Sequence, residues 1–182
     1  MLILILIVLT ICILVGLYIS TYNKIQDYII KINEVEAIID TNLRNKYDNI
    51  NKSVSIIKAN DKINKKIDKN MFEEVVRLRN IKISNFDLDR KLVGATNELY
   101  AIKESNKKEI KSEEINKIIK QLKDIDNRLD IYRNYYNSNI AKFNKMVKSF
   151  PTNIVALLCK YDTKLFFDMK NMEDDDVEDF KL

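Results

Sequence analysis

Chemistry needs particular side chains gathered in one place, and this 182-residue chain offers few candidates. There is no histidine, which removes the commonest metal ligand and the commonest general base. Cys12 sits in the apolar opening and Cys159 near the far end, a separation that suits neither zinc binding nor a disulfide. Gly16 and Gly94 stand too far apart to form a loop that cradles phosphate. A di-metal helical bundle needs Glu-x-x-His motifs, which a chain without histidine cannot supply. The pairs Glu73-Glu74 and Glu113-Glu114 place adjacent carboxylates on different helix faces, so solvation is expected there rather than metal binding. Two polar residues in or beside an apolar helical seam remain. Asn139 interrupts a heptad seam and is expected to set helix register, while Arg133, beside Tyr132 and Tyr136, should stack on a ring or pair with an acid on a neighbouring helix. No catalytic, cofactor-binding or metal-ligating residue emerges, and the chain does not read as an enzyme.

The seam itself is the dominant pattern. Ile115, Leu122, Leu129, Tyr136, Phe143 and Phe150 recur every seven residues, and Ile118, Ile125, Tyr132, Asn139 and Met146 follow three residues behind. Alternating steps of three and four describe one long helix, roughly 54 Å in length, that must bury its stripe against other helices. With only 2 glycines and 1 proline, tight turns between strands are not expected. The fold class is all-α: an N-terminal transmembrane helix continuing into an antiparallel bundle of long, coiled-coil-like helices.

In chain order, residues 1–21 form the anchor. Met1 to Ser20 carries no charge, and about twenty apolar residues cross a bilayer as a helix. A cleaved signal would have a basic start and a small-residue cleavage site, and neither is clear here. Lys24 and Lys31, diluted by Asp27, lean toward a cytoplasmic body by the positive-inside rule. The bundle spans 22–168, with helices over 22–60, 67–104 (broken near 84–88) and 112–150, and a short one over 152–160. In the first, Ile25, Ile29, Ile32, Val35, Ile39, Leu43, Tyr47, Ile50, Val54 and Ile57 form the apolar stripe. No Pro or Gly separates anchor from bundle, so the two should be continuous. Residues 60–66 and 105–112 read as turns, Asn85 or Asp87 as a cap for the resumed second helix, and Ser112 as the start of the third. Pro151 ends the seam helix. Beyond it, Ile154, Val155, Leu157 and Leu158, then Leu165, Phe166 and Phe167, should return to the bundle.

Net charge is +4, but residues 169–182 form an acidic tail expected to be disordered. After Met172, Glu173, Asp174, Asp175, Asp176, Glu178 and Asp179 face only Lys181, which leaves 30 basic and 21 acidic side chains, or +9, in residues 1–172. Such a body suits an anionic lipid surface or simple solvation. Nucleic-acid binding is disfavoured, because the aromatics follow the buried seam rather than an exposed basic face.

Arg133, Tyr136-Asn137, Phe143-Asn144, Phe150-Pro151 and Phe166-Phe167 resemble, in order and spacing, the C-terminal signature of the LemA family. Tyr22-Asn23 after the apolar run, Ala37…Asp40…Leu43 and Tyr47-Asp48 fit the same family's first helix. Departures are Asn51 where the family usually has Pro, Leu78 before Arg79 where it has Ala, and the lack of Tyr-Pro within 105–114. The resemblance implies a divergent single-pass bacterial membrane protein with a bundle of long antiparallel helices and no established catalytic group. Some relatives resemble lipoproteins with an exported body, so sidedness stays open. The expected function is a non-catalytic scaffold or interaction protein at the cell membrane. Its expected partners are the bilayer, through the N-terminal helix, and an unidentified protein, with self-association open and no cofactor. The alternative is a peripheral binder of anionic lipid or nucleic acid through the basic body.

Overall fold

The computed structural model describes residues 1–59, 75–78, 84–106 and 113–167. Four helices account for most of them: α1 (Leu2–Lys58), α2 (Asn85–Ser105), α3 (Glu113–Lys148) and α4 (Thr152–Leu158). The described residues contain no strand. The expected turn at 60–66 lies outside the described residues, as do residues 107–112 of the turn expected over 105–112 (Ser105 still belongs to α2), Met71, Phe72, Ile81 and the acidic tail.

α1 runs without a break from the apolar opening into the stripe that begins at Ile25. Asparagine and serine are poor helix formers because their side chains compete for backbone partners. Here that competition is turned inward. Asn42 donates to the Ile38 carbonyl (2.8 Å), Asn49 to Asn45 (2.9 Å) and Ser53 to Asn49 (3.0 Å), each bond satisfying a polar side chain on its own helix. That is how Asn42 and Ser53 sit buried among isoleucines.

The chain packs as two compact units, and α1 and α3 contribute to both. One unit comprises Ala37–Arg133. Its core takes Ile39, Leu43, Ile50, Val54 and Ile57 from α1, Leu92, Ala95, Leu99 and Ile102 from α2, and Ile115, Ile118, Leu122, Ile125 and Leu129 from α3. Arg133 pairs with Asp89 while Lys123 lies over the Tyr100 ring, so α2 and α3 run antiparallel. The other unit comprises Met1–Glu36 and Asn134–Phe167. Ile25, Ile32 and Val35 of α1 are buried there, as are Tyr136, Ile140 and Phe143 of α3, Val155 and Ala156 of α4, and Phe167.

Several expectations are corrected. Ser84, not Asn85 or Asp87, caps α2: its hydroxyl accepts from the Asp87 amide and donates to the Asp87 carboxylate at 2.6 Å. Lys46 rather than Tyr47 fills the core position between Leu43 and Ile50, because its ammonium finds Asp126. Phe150 closes the heptad series by sequence but is 80% exposed, since α3 ends at Lys148 and Phe150 no longer continues its helical stripe. Tyr132 and Met146 are only half-buried. On α4, Val155 and Ala156 face inward, whereas Ile154, Leu157 and Leu158 face outward, and Leu165 is exposed too. A seven-residue helix buries one narrow stripe, and its geometry selects the smaller side chains.

Candidate functional site

The residues singled out for their chemistry do not converge. Glu73 and Glu74 lie outside the described residues, and Glu113 and Glu114 are exposed in the first turn of α3. Among the described residues no three Cys, Asp or Glu side chains gather as a metal would require. Asn139 donates to the Tyr135 carbonyl (2.8 Å) of its own helix, so its amide is satisfied locally. Arg133 does pair with acids: it is buried and donates to Asp89 on α2 (2.5 Å) and to Asp130 one turn back on α3 (2.7 Å). Both cysteines are free.

Two other arrangements lie in the Met1–Glu36 and Asn134–Phe167 unit. The first is a clamp. Residues 161–167 follow α4 without regular structure, and two asparagines of α3 hold them. The Asn144 carbonyl accepts from the Lys164 amide (2.8 Å) while its NH2 donates to the Lys164 carbonyl (2.8 Å). Asn137 does the same to the amide and carbonyl of Phe167, both at 2.6 Å. Seven helical residues rise about 10.5 Å, and three extended residues span about 10 Å, so one amide meets each end of the segment. The register seats the Phe167 ring edge-on against Tyr136, with centroids 5.9 Å apart and planes at 87°. Burial, with Glu36 nearby, pushes the Tyr136 hydroxyl up to about 12, which keeps it neutral in this packing.

The clamp makes a direct prediction. Replacing Asn137 and Asn144 together by alanine leaves four backbone groups without partners at a part-buried surface, at about 1–3 kcal/mol. Trypsin cleavage after Lys160 and Lys164 of the full chain should then accelerate roughly tenfold or more. Unchanged cleavage would mean that the segment is held by Phe167 alone.

The second arrangement is a basic cleft of about 440 Å³ where α1 faces the end of α3. Thr21, Lys24 and Tyr28 come from successive turns of one face of α1, Lys142 and Lys145 from one face of α3, and Ser149 from just past its end. Met146 and Phe150 supply apolar wall, and among the described residues no carboxylate lines it. Thr152 closes the floor, its hydroxyl 2.6 Å from the Met146 carbonyl and 2.9 Å from that of Ser149, at the end of α3 where backbone acceptors lack helical partners. Lys145 and Lys148 in that last turn also suit the negative end of the helix dipole. Beside the cleft, Tyr18 and Tyr22 stack (6.4 Å, 16°), Gln26 donates to the Tyr161 hydroxyl, and partial burial beside Tyr22 and Cys159 raises the Tyr161 pKa. Tyrosines gathered at one end of an apolar run are a membrane-interface signal that a count of charges passes over.

The clamp pairs are the aromatic-Asn dipeptides Tyr136-Asn137 and Phe143-Asn144, and Phe167 ends the aromatic pair. A family model, that of the LemA family, matches residues 36–179. The chain belongs to the LemA family. A search of curated proteins finds no match. Within the LemA match lie α2, α3, α4, both asparagines of the clamp and the lysines that α3 contributes to the cleft. The apolar opening and Lys24 precede it.

Proposed function

We propose that this LemA-family chain is a single-pass, membrane-anchored helical scaffold of the bacterial cell envelope, without catalysis of its own, that binds another protein close to the bilayer. One observation carries the reading. The first turns of α1 bury nothing within the protein: residues 1–20 are uncharged and exposed throughout, and the same helix then enters the core unbroken. A stretch this apolar and this long matches the hydrocarbon thickness and has no other covering among the described residues. The body joined to it carries ion pairs and amide clamps that build structure, the material of an interaction platform.

Membranes expressing the full chain should retain it through alkaline carbonate extraction. Release into the supernatant would overturn the anchor. Extraction in a mild detergent should then recover the chain with a stoichiometric protein partner, and recovery of the chain alone would overturn the scaffold while leaving the anchor in place.

A further inference from the structure

Four of the apolar residues left exposed beyond the apolar run of α1 lie close together in the chain, in and just before α4. Ile154, Leu157 and Leu158 occupy one face of α4, at spacings of three and four, and are 51%, 79% and 67% exposed. Phe150 precedes the helix and is exposed as well. An isolated exposed leucine means little, but four large apolar side chains within nine residues form a patch that needs a cover.

Its position identifies the cover. Cys159, at the C-terminal end of α4, lies 3.7 Å from the Tyr18 hydroxyl, and Tyr161 accepts from Gln26. The Cys159–Tyr18 contact puts the C-terminal end of α4 beside the last turn of the apolar run of α1, where Leu17 and Ile19 are themselves exposed. Phe150 links this face to the cleft where Lys24, Lys142 and Lys145 stand without a carboxylate among the described residues. Apolar side chains continuous with a membrane-spanning stretch and bordered by ammonium groups match the boundary between acyl chains and phosphate headgroups.

We propose that α4 is an interfacial helix that docks on the bilayer holding the anchor. Phe150, Leu157 and Leu158 enter the acyl boundary, and Lys24, Lys142 and Lys145 meet the phosphates of anionic phospholipid. This rests on α1 being the anchor. Docking fixes the bundle at the surface at two points rather than one, so the body cannot swing freely about α1. The short helix sinks about 5–10 Å below the headgroups, as such helices do.

The chain contains no tryptophan, so a single introduced one reports depth. Full-length Leu157→Trp and, as the anchor control, Leu9→Trp are reconstituted in vesicles of phosphatidylcholine with phosphatidylglycerol, with and without bromine on the acyl chains. Both positions are exposed in the protein, so neither variant disturbs its core. Brominated lipid should quench most of the emission at both positions, and iodide in the water should quench neither. Adding Lys24→Gln, Lys142→Gln and Lys145→Gln should lower the docked-to-undocked ratio roughly fivefold per lysine removed. Quenching of Leu9→Trp by brominated lipid, with Leu157→Trp quenched by iodide instead, overturns the docking and leaves the anchor intact. Shielding of Leu157→Trp from both quenchers, lost on dilution with empty vesicles, assigns the patch to a second copy and also overturns it. Iodide quenching at both positions removes the anchor and the docking together.

Discussion

Asp126→Ala destabilises the helical body by about 3 kcal/mol, whereas Lys46→Met changes its stability by less than about 1 kcal/mol. The two substitutions delete opposite ends of one ion pair, Lys46 Nζ to Asp126 Oδ1 at 2.7 Å. They differ because burial is lopsided. The Lys46 side chain is 1% exposed and that of Asp126 is 33% exposed. Removing the aspartate strands an ammonium group among Leu43, Ile50 and the α3 core, and an uncompensated buried charge costs about 3–5 kcal/mol. Water reaching the vacated rim keeps the loss at the lower end of that range. Removing the lysine leaves a carboxylate that water already reaches, and methionine fills the volume that the lysine stem occupied. Guanidinium titration of the full chain in mild detergent, followed by circular dichroism, measures both. Equal costs for the two variants would mean that Lys46 is held by packing along its stem and not by its partner.

Arg133→Met is expected to cost about 3–5 kcal/mol, and adding Asp89→Leu should restore most of it. Here both partners are buried, with side chains 10% and 8% exposed, so removing the guanidinium leaves the Asp89 carboxylate without its charged partner. Two apolar residues of similar bulk meet without either desolvation penalty, and such replacements are often neutral. Asp130 is the internal control. It binds the same guanidinium at 2.7 Å but is 61% exposed, so Asp130→Ala should cost less than about 1 kcal/mol. The same denaturation series checks all three variants, read as a double-mutant cycle between positions 89 and 133. A double variant no more stable than Arg133→Met alone would show that Arg133 acts through neighbours other than Asp89. Structurally, this pair pins α2 to α3 at one height, since sliding either helix by a turn would separate the two charges. Asn139, the residue expected to set register, lies six residues further along α3.

Most of the helical framework was legible in the residues themselves. Ile115, Leu122, Leu129, Tyr136 and Phe143 are all buried, as their seven-residue spacing requires, because periodicity is a local property that any partner helix would exploit. The end of α3 before Pro151 and the unbroken passage from the apolar run into α1 are local as well, set by a missing amide hydrogen in one case and by the absence of any breaker in the other. The choice between neighbours is not local. Lys46 or Tyr47, and Arg133 or Tyr132, sit about 100° apart on the helix, and either fits a spacing of three or four. Asp126 and Asp89 decided those contests from distant parts of the chain, because a cation enters a core only where an anion waits for it.

The amide clamp shows the same division. Asparagines seven apart can be read from the sequence, but nothing in their spacing names Lys164 and Phe167 as the backbone they hold, since a hydrogen-bonding amide accepts any extended segment brought within reach. Composition likewise marks Ile154, Leu157 and Leu158 as apolar without saying which face of a short helix turns inward. By itself, then, the sequence determined an all-helical LemA-family chain with an apolar leader and a heptad stripe. Only the tertiary structure decided which charges go inside, which asparagines grip the C-terminal segment and which apolar side chains stay out, because each depends on groups that folding alone brings within a few ångströms.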